Sequence, residues 1–167
     1  MNSQICNSTN TFEFYNSYHT HPINKFFHLL GIPSIMLSTL LLLRDFYIGY
    51  SGQICGLDFK NLGFRFNNLL ITYYTFYYYS YGFYPGFVMQ IYLLFLNWLS
   101  NWLVVNKKIN FKQTSSLFLF SWALQFIGHF VEGNRPALTD SIGQAFLGAP
   151  IFSLTPIIPH LKKYLTN

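Results

Sequence analysis

The chain is short of charge. Only 9% of its 167 residues are Asp, Glu, Lys or Arg, while 51% are hydrophobic. Soluble domains carry about 25% charged residues, so this sequence lacks the side chains that cover a water-exposed surface. Acidic residues are the fewest, 5 against 10 Lys and Arg, for a net charge of +5. That excess is small and concentrated in loops, which argues against a nucleic-acid partner. In a membrane protein such loops set orientation instead. Cysteine is nearly absent. Cys6 and Cys55 match no metal-binding spacing, and nothing else supports a disulfide between them. The first twenty residues hold no Lys or Arg and no apolar core. Neither a secretory signal nor an Arg-rich transit peptide is read there, so a membrane segment must act as its own insertion signal. Alanine is scarce, and Phe and Tyr are plentiful at 19 and 13 copies. The Tyr-rich run at 73–81 reads as aromatic bulk in a membrane helix.

What is present is a series of long apolar segments. They predict an all-α fold, an integral membrane helical bundle of four to five transmembrane helices, with membrane lipids as its solvent. The segments are about Pro22–Leu43, Asn67–Phe83, Phe87–Val105, Ser115–Val131 and Ser141–Leu161. The last holds Pro150, Pro156 and Pro159 and is expected to be kinked or only partly spanning. Residues 1–20 read as a polar N-terminal arm, irregular or a short amphipathic lead-in, with Phe12, Phe14, Tyr15 and Tyr18 on the membrane surface. Residues 21–163 read as one transmembrane helical domain. Residues 44–66 read as a loop, 82–86 as a tight turn, and 106–113 as a short basic loop. Trp98 and Trp102 suit a membrane interface. The short length and lack of an internal repeat disfavour a transporter.

The chemistry gathers where the polar start meets the first apolar segment. Three of the five histidines, His19, His21 and His28, fall within ten positions. Pro22 suits the first turn of a helix, with Thr20 or His21 as its N-cap. Asn24 and His28 then share a face. His28 lies inside a hydrophobic helix, and an ionisable residue there marks a candidate functional site. If every segment spans, the start of the first helix and the end of the fourth lie on one side of the membrane. That juxtaposes His19, His21, Asn24 and His28 with Gln125, His129, Glu132 and Arg135. Four histidines at one end of a bundle have the composition of a transition-metal site, since imidazole suits iron, zinc and copper. Asn24 and Glu132 can bind a metal directly or orient imidazoles. Gly128 lets another helix approach closely. Under the same count His160, Lys162 and Lys163 fall on the opposite side, with most of the basic loops, and that side faces cytosol or matrix by the positive-inside rule.

Taken together, two motifs resemble a known family, the small membrane 2-hydroxy-fatty-acid dioxygenases of the endoplasmic reticulum. At the front they are Tyr18, His21-Pro22, Asn24, His28, Gly31 and Pro33. At the back they are Trp122, Gln125 to His129, Glu132, Arg135-Pro136-Ala137-Leu138, Gln144-Ala145, Ala149-Pro150 and Phe152. The resemblance implies an Fe(II)-dependent enzyme that uses dioxygen to shorten an acyl-chain substrate, a 2-hydroxy fatty acid, in α-oxidation. Carried over by position, it implies His21, His28 and His129 as metal ligands, joined by His19. Glu132, Arg135 and Asn24 become supporting groups of the catalytic site, with Arg135 suited to hold a substrate carboxylate. The sequence departs from the family pattern in two places. No acidic residue follows in Ser153-Leu154-Thr155-Pro156, and the interval from His129 to Glu132 is shorter. An alternative therefore stands beside the enzyme: a non-catalytic subunit of a large complex, with other subunits as partners, in the mitochondrial inner membrane.

Overall fold

The structure, a computed structural model, describes residues 10–54 and 57–166. Cys6 and Cys55, with any disulfide between them, lie outside the described residues. The elements in chain order are α1 (Asn10–Ser17), α2 (Pro22–Leu43), a hairpin of β1 (Tyr47–Ile54) and β2 (Leu57–Arg65), α3 (Phe66–Tyr79), α4 (Phe83–Val105), α5 (Phe111–Glu132), α6 (Ile142–Leu154) and α7 (Lys162–Leu165). Short 3₁₀ turns precede α6 and α7. The chain is a helical bundle, as its apolar segments require. Among the described residues three helices, α2, α4 and α5, are long and apolar enough to cross a membrane. Their outward faces carry large exposed apolar side chains, such as Ile91, Phe95 and Trp98 on α4 and Phe120, Ile127 and Phe130 on α5. In water such a surface would aggregate; in lipid it is solvated. The inner faces meet at Met36, Leu40, Tyr78, Met89 and Leu93.

The segment read as a loop after the first helix holds the β1–β2 hairpin, antiparallel, with Tyr47 opposite Arg65 and Ile54 opposite Leu57. Glycines and charges scattered through it mask the strand pattern. α4 starts at Phe83, so the residues read as a turn form its first coil. Gly82, with φ 121°, makes the corner, and a Cβ on Gly86 would come within 2.5 Å of the Tyr79 ring. α5 opens with a capping box, Asn110 and Gln113 bonding each other's backbone. It ends at left-handed Gly133, where the Asn134 N–H returns to the His129 carbonyl.

Two expectations about the ends are corrected. The second half of the arm is helix α1, packed on α6, and Phe12 and Tyr15 are buried in the core rather than lying on a membrane surface. The last segment does not carry the chain to the far side. α6 is only 13 residues long, and Tyr164 beyond it packs on Tyr84 at the start of α4, ring centroids 5.1 Å apart. That end of the α3–α4 pair also meets α1, since Tyr81 bonds Thr11. His160, Lys162 and Lys163 thus return to the histidine end. That end now carries Lys25, Arg135, Lys162 and Lys163, so the charge asymmetry that set orientation is weaker than the five-span count implied.

Pro150 sits inside α6 and has no N–H for the Phe146 carbonyl one turn earlier. Tyr74 Oη donates to that carbonyl at 3.0 Å, and Tyr78 Oη donates to Leu147 O at 2.6 Å. The tyrosine run is thus more than bulk: it mends the backbone of a proline-broken helix where water is scarce.

Candidate functional site

The site lies where the α1–α2 turn, the start of α2 and the end of α5 meet. The α2–α5 seam is built in layers that two glycines make possible. Gly128 of α5 leaves room for Asn24 of α2, and Gly31 of α2 leaves room for Gln125 of α5; a Cβ on either would overlap the partner's amide. Between these layers the imidazoles of His28 and His129 meet, and His19 covers them from the turn. Ring nitrogens of the three lie within 4.8 Å of one another, and all three side chains are buried.

Hydrogen bonds fix two of the rings. His19 Nδ1 lies 2.6 Å from the Tyr15 carbonyl oxygen, and its ring stacks on that of Tyr15. A carbonyl only accepts, so Nδ1 carries the hydrogen and Nε2 keeps its lone pair. The same holds for His28, whose Nδ1 donates to Asn24 O at 2.9 Å. The two Nε2 lone pairs face each other at 2.9 Å. Facing lone pairs repel unless a cation lies between them. Two imidazole–metal bonds of about 2.0–2.1 Å at a right angle separate their nitrogens by about 2.9 Å. Burial keeps His19 uncharged, with its pKa lowered to about 4, and the neutral ring is the form that binds metal. The donor set therefore fits a transition metal.

Glu132, the last residue of α5, locks the arrangement. Its Oε1 accepts from Thr20 N and Thr20 Oγ1, both at 2.5 Å, and from His21 N at 2.9 Å. Its Oε2 accepts from Asn24 Nδ2. The carboxylate thus ties the start of α2 to the end of α5 and holds His19 and His28 against His129.

A cavity opens from the histidines. It contains about 850 Å³ of empty space including its open mouth, and its wall is almost wholly apolar. On α2 it passes His28, Ile32, Met36 and Thr39, a rise of about 16 Å. Tyr74, Trp122 and Phe146 wall it from other helices, and Pro136, Ala137 and Leu138 close the histidine end.

The chain matches the family described as 2-hydroxy-palmitic acid dioxygenase Mpo1-like over residues 6–161. It belongs to that family. It is 30% identical over 163 residues to the 2-hydroxy-palmitic acid dioxygenase MPO1 of Saccharomyces cerevisiae, covering 92% of this chain and 84% of that protein. No solved structure matches the chain.

The Mpo1-like motifs now have places. The back motif supplies His129, the Glu132 latch and the cavity wall at Pro136–Leu138 and Ala149-Pro150. Of the four histidines expected as ligands, the structure brings together His19, His28 and His129. His21 stands apart: it is the N-cap of α2, and its Nδ1 accepts from Ile23 N at 3.2 Å. Pro22 held that signal, because a proline at the first helical position makes the preceding side chain a cap. Asn24 Nδ2 donates to Glu132 Oε2 and also lies 3.5 Å from His129 Nδ1, so Asn24 orients that ring, while Glu132 bonds the α1–α2 turn and Asn24. Arg135 is exposed, one residue before the cavity wall, and its Nε pairs with Asp140 at 3.1 Å. Asp140 also accepts from Tyr18 Oη, which raises the Tyr18 pKa. Sequence reasoning missed Asp140 and the part that Tyr15 and Thr20 play in the site: it read Tyr15 as a surface aromatic and Thr20 as a candidate N-cap. Tyr15 contributes a backbone carbonyl, which no side-chain pattern records.

Proposed function

We propose that this Mpo1-like chain is an Fe(II)-dependent dioxygenase of 2-hydroxy fatty acids, working in the membrane of the endoplasmic reticulum. One observation carries the reading: two imidazole lone pairs, fixed by backbone carbonyls, face each other 2.9 Å apart at the end of an apolar cavity. His19, His28 and His129 would hold the metal, which would supply dioxygen chemistry.

The chain's own residues do the rest. Tyr15 O and Asn24 O hold the Nδ1 hydrogens and so keep the Nε2 atoms turned inward. Glu132 fixes the distance between helices. The cavity takes the acyl chain and excludes water from the reacting end; its length along α2, about 16 Å, suits on the order of a dozen extended methylenes. Arg135 stands at the rim beside Pro136, where its remaining guanidinium nitrogens can meet a carboxylate.

Family membership and the built histidine cluster favour this enzyme over a non-catalytic subunit of a mitochondrial complex. The test is elemental analysis of protein purified without chelator, together with oxygen uptake on 2-hydroxypalmitic acid. Iron near one per chain and oxygen uptake on that acid are expected. Protein that carries no metal and consumes no oxygen refutes the proposal.

A further inference from the structure

Gln125 lies on α5 one turn from His129, about 6 Å along the axis and toward the deep end of the cavity. It lines the cavity and is 6% exposed. Its Nε2 donates to Phe27 O at 3.2 Å and to Ser121 O at 3.3 Å. Both partners are carbonyls, so the amide is held one way round; a flip would set its oxygen against two other oxygens. Oε1 is thereby fixed as an acceptor, and among the described residues it has no hydrogen-bond partner. A buried acceptor without a partner is costly, and a protein keeps one where something else supplies the donor. Among the described residues no donor bonds Oε1, and the cavity wall nearby, with Ile32, Met36 and Phe126, is largely apolar. Gly31 opposite has no side chain, which is what lets the amide sit there.

We infer that Gln125 Oε1 is the acceptor for the 2-hydroxyl of the substrate, and that it gives the site its preference for hydroxylated over plain fatty acids. The inference rests on the function proposed above and adds a specificity residue that touches substrate. The hydroxyl is a donor, its carbon is next to the carboxyl, and Gln125 stands beside the two histidines that face the cavity. An unsubstituted acid leaves Oε1 as it is now, without a partner. A 2-hydroxy acid satisfies it.

The experiment measures equilibrium binding of 2-hydroxypalmitic acid and of palmitic acid to the metal-loaded protein, wild type and Gln125→Met. Methionine keeps length and volume and removes the acceptor. Wild type should favour the hydroxy acid by more than the variant does. The variant should lose about tenfold on the hydroxy acid, the size of one hydrogen bond, and bind palmitic acid as wild type does. A merely structural role for Gln125 would weaken both acids equally. If Gln125→Met does not fold, Gln125→Glu serves. Its buried carboxyl is neutral, still donates to one carbonyl and still accepts, so it should keep the preference; a Glu variant that binds the two acids alike overturns the inference. Wild-type preference that survives in Gln125→Met overturns the inference alone. Wild type that binds both acids equally and consumes no oxygen overturns the proposed function, and the inference with it.

Discussion

The Glu132 latch gives the sharpest test of how the site is held. In Glu132→Ala the Asn24 amide, fully buried, loses its short acceptor and keeps only the long 3.5 Å contact to His129 Nδ1, and a buried donor so poorly satisfied costs about 1–3 kcal/mol. The start of α2 also loses the carboxylate that caps Thr20 and His21, about another 1 kcal/mol. The sum is roughly 3 kcal/mol, and at about 2–4 °C per kcal/mol for a chain of this size the melting point falls by about 10 °C. Glu132→Gln should be far milder. Its amide oxygen still serves Thr20 and His21. Its nitrogen would face the Asn24 nitrogen, but Asn24 can turn over and offer Oδ1, which has no partner in the present arrangement. Only the difference between charged and neutral hydrogen bonds remains, about 1 kcal/mol or about 3 °C. Asn24→Asp sets two carboxylates against each other and should be worse than Glu132→Gln. The double variant Asn24→Asp/Glu132→Gln restores a donor and should recover about 2 kcal/mol as coupling. The assay is thermal unfolding in detergent, with metal content read on the same samples. A Glu132→Ala protein melting within about 2 °C of wild type, or a double variant no better than Asn24→Asp, refutes the latch.

Other outcomes follow from the same geometry. His19→Ala and His28→Ala should both lose bound metal, whereas His21→Ala should keep it and lose only about 1 kcal/mol of helix capping; metal loss on His21→Ala, measured by elemental analysis, would put that ring back among the ligands. Gly128→Ala should drive α2 from α5 through the Asn24 side chain and destabilise by about 1–3 kcal/mol, seen as a lower melting point with less metal. Gly133→Ala meets nothing within 4 Å but keeps φ at 75°, so it should lose about 1–2 kcal/mol from backbone strain alone and retain metal. In metal-stripped protein, the folded pKa of His19, about 4, lies below its unfolded value of about 6.5. The unfolded chain then takes the proton first, so stability is full above about pH 6.5 and falls as pH drops from there toward 4. A melting point flat across that window in stripped protein contradicts the burial of His19.

The sequence by itself determined the solvent and the parts. With 9% charge and apolar runs long enough for helices to span, rather than the short alternating segments of a barrel, a helical bundle is the fold that satisfies its backbone in lipid. Pro22 fixed where α2 begins, and Asn110, Gln113 and Gly133 fixed where α5 begins and ends, because caps are local chemistry. His28 and Asn24 one turn apart were also legible, since helical spacing sets them. Which histidines meet was not legible. The positions of His19 and His21 differ by two residues, and only the packing of α1 on α6, with the Tyr15 carbonyl it brings to His19, turns one ring inward while the cap turns the other outward. Glu132 read as a direct ligand or an orienter of imidazoles because a carboxylate near histidines has that composition; four donors, three from Thr20 and His21 before α2 and one from Asn24 in it, make it a clamp. The course of the last segment was likewise a tertiary matter. Proline marks where a helix breaks, but the direction the chain then takes depends on what covers the freed carbonyls, and here that is Tyr74 and Tyr78 from a helix some seventy residues earlier.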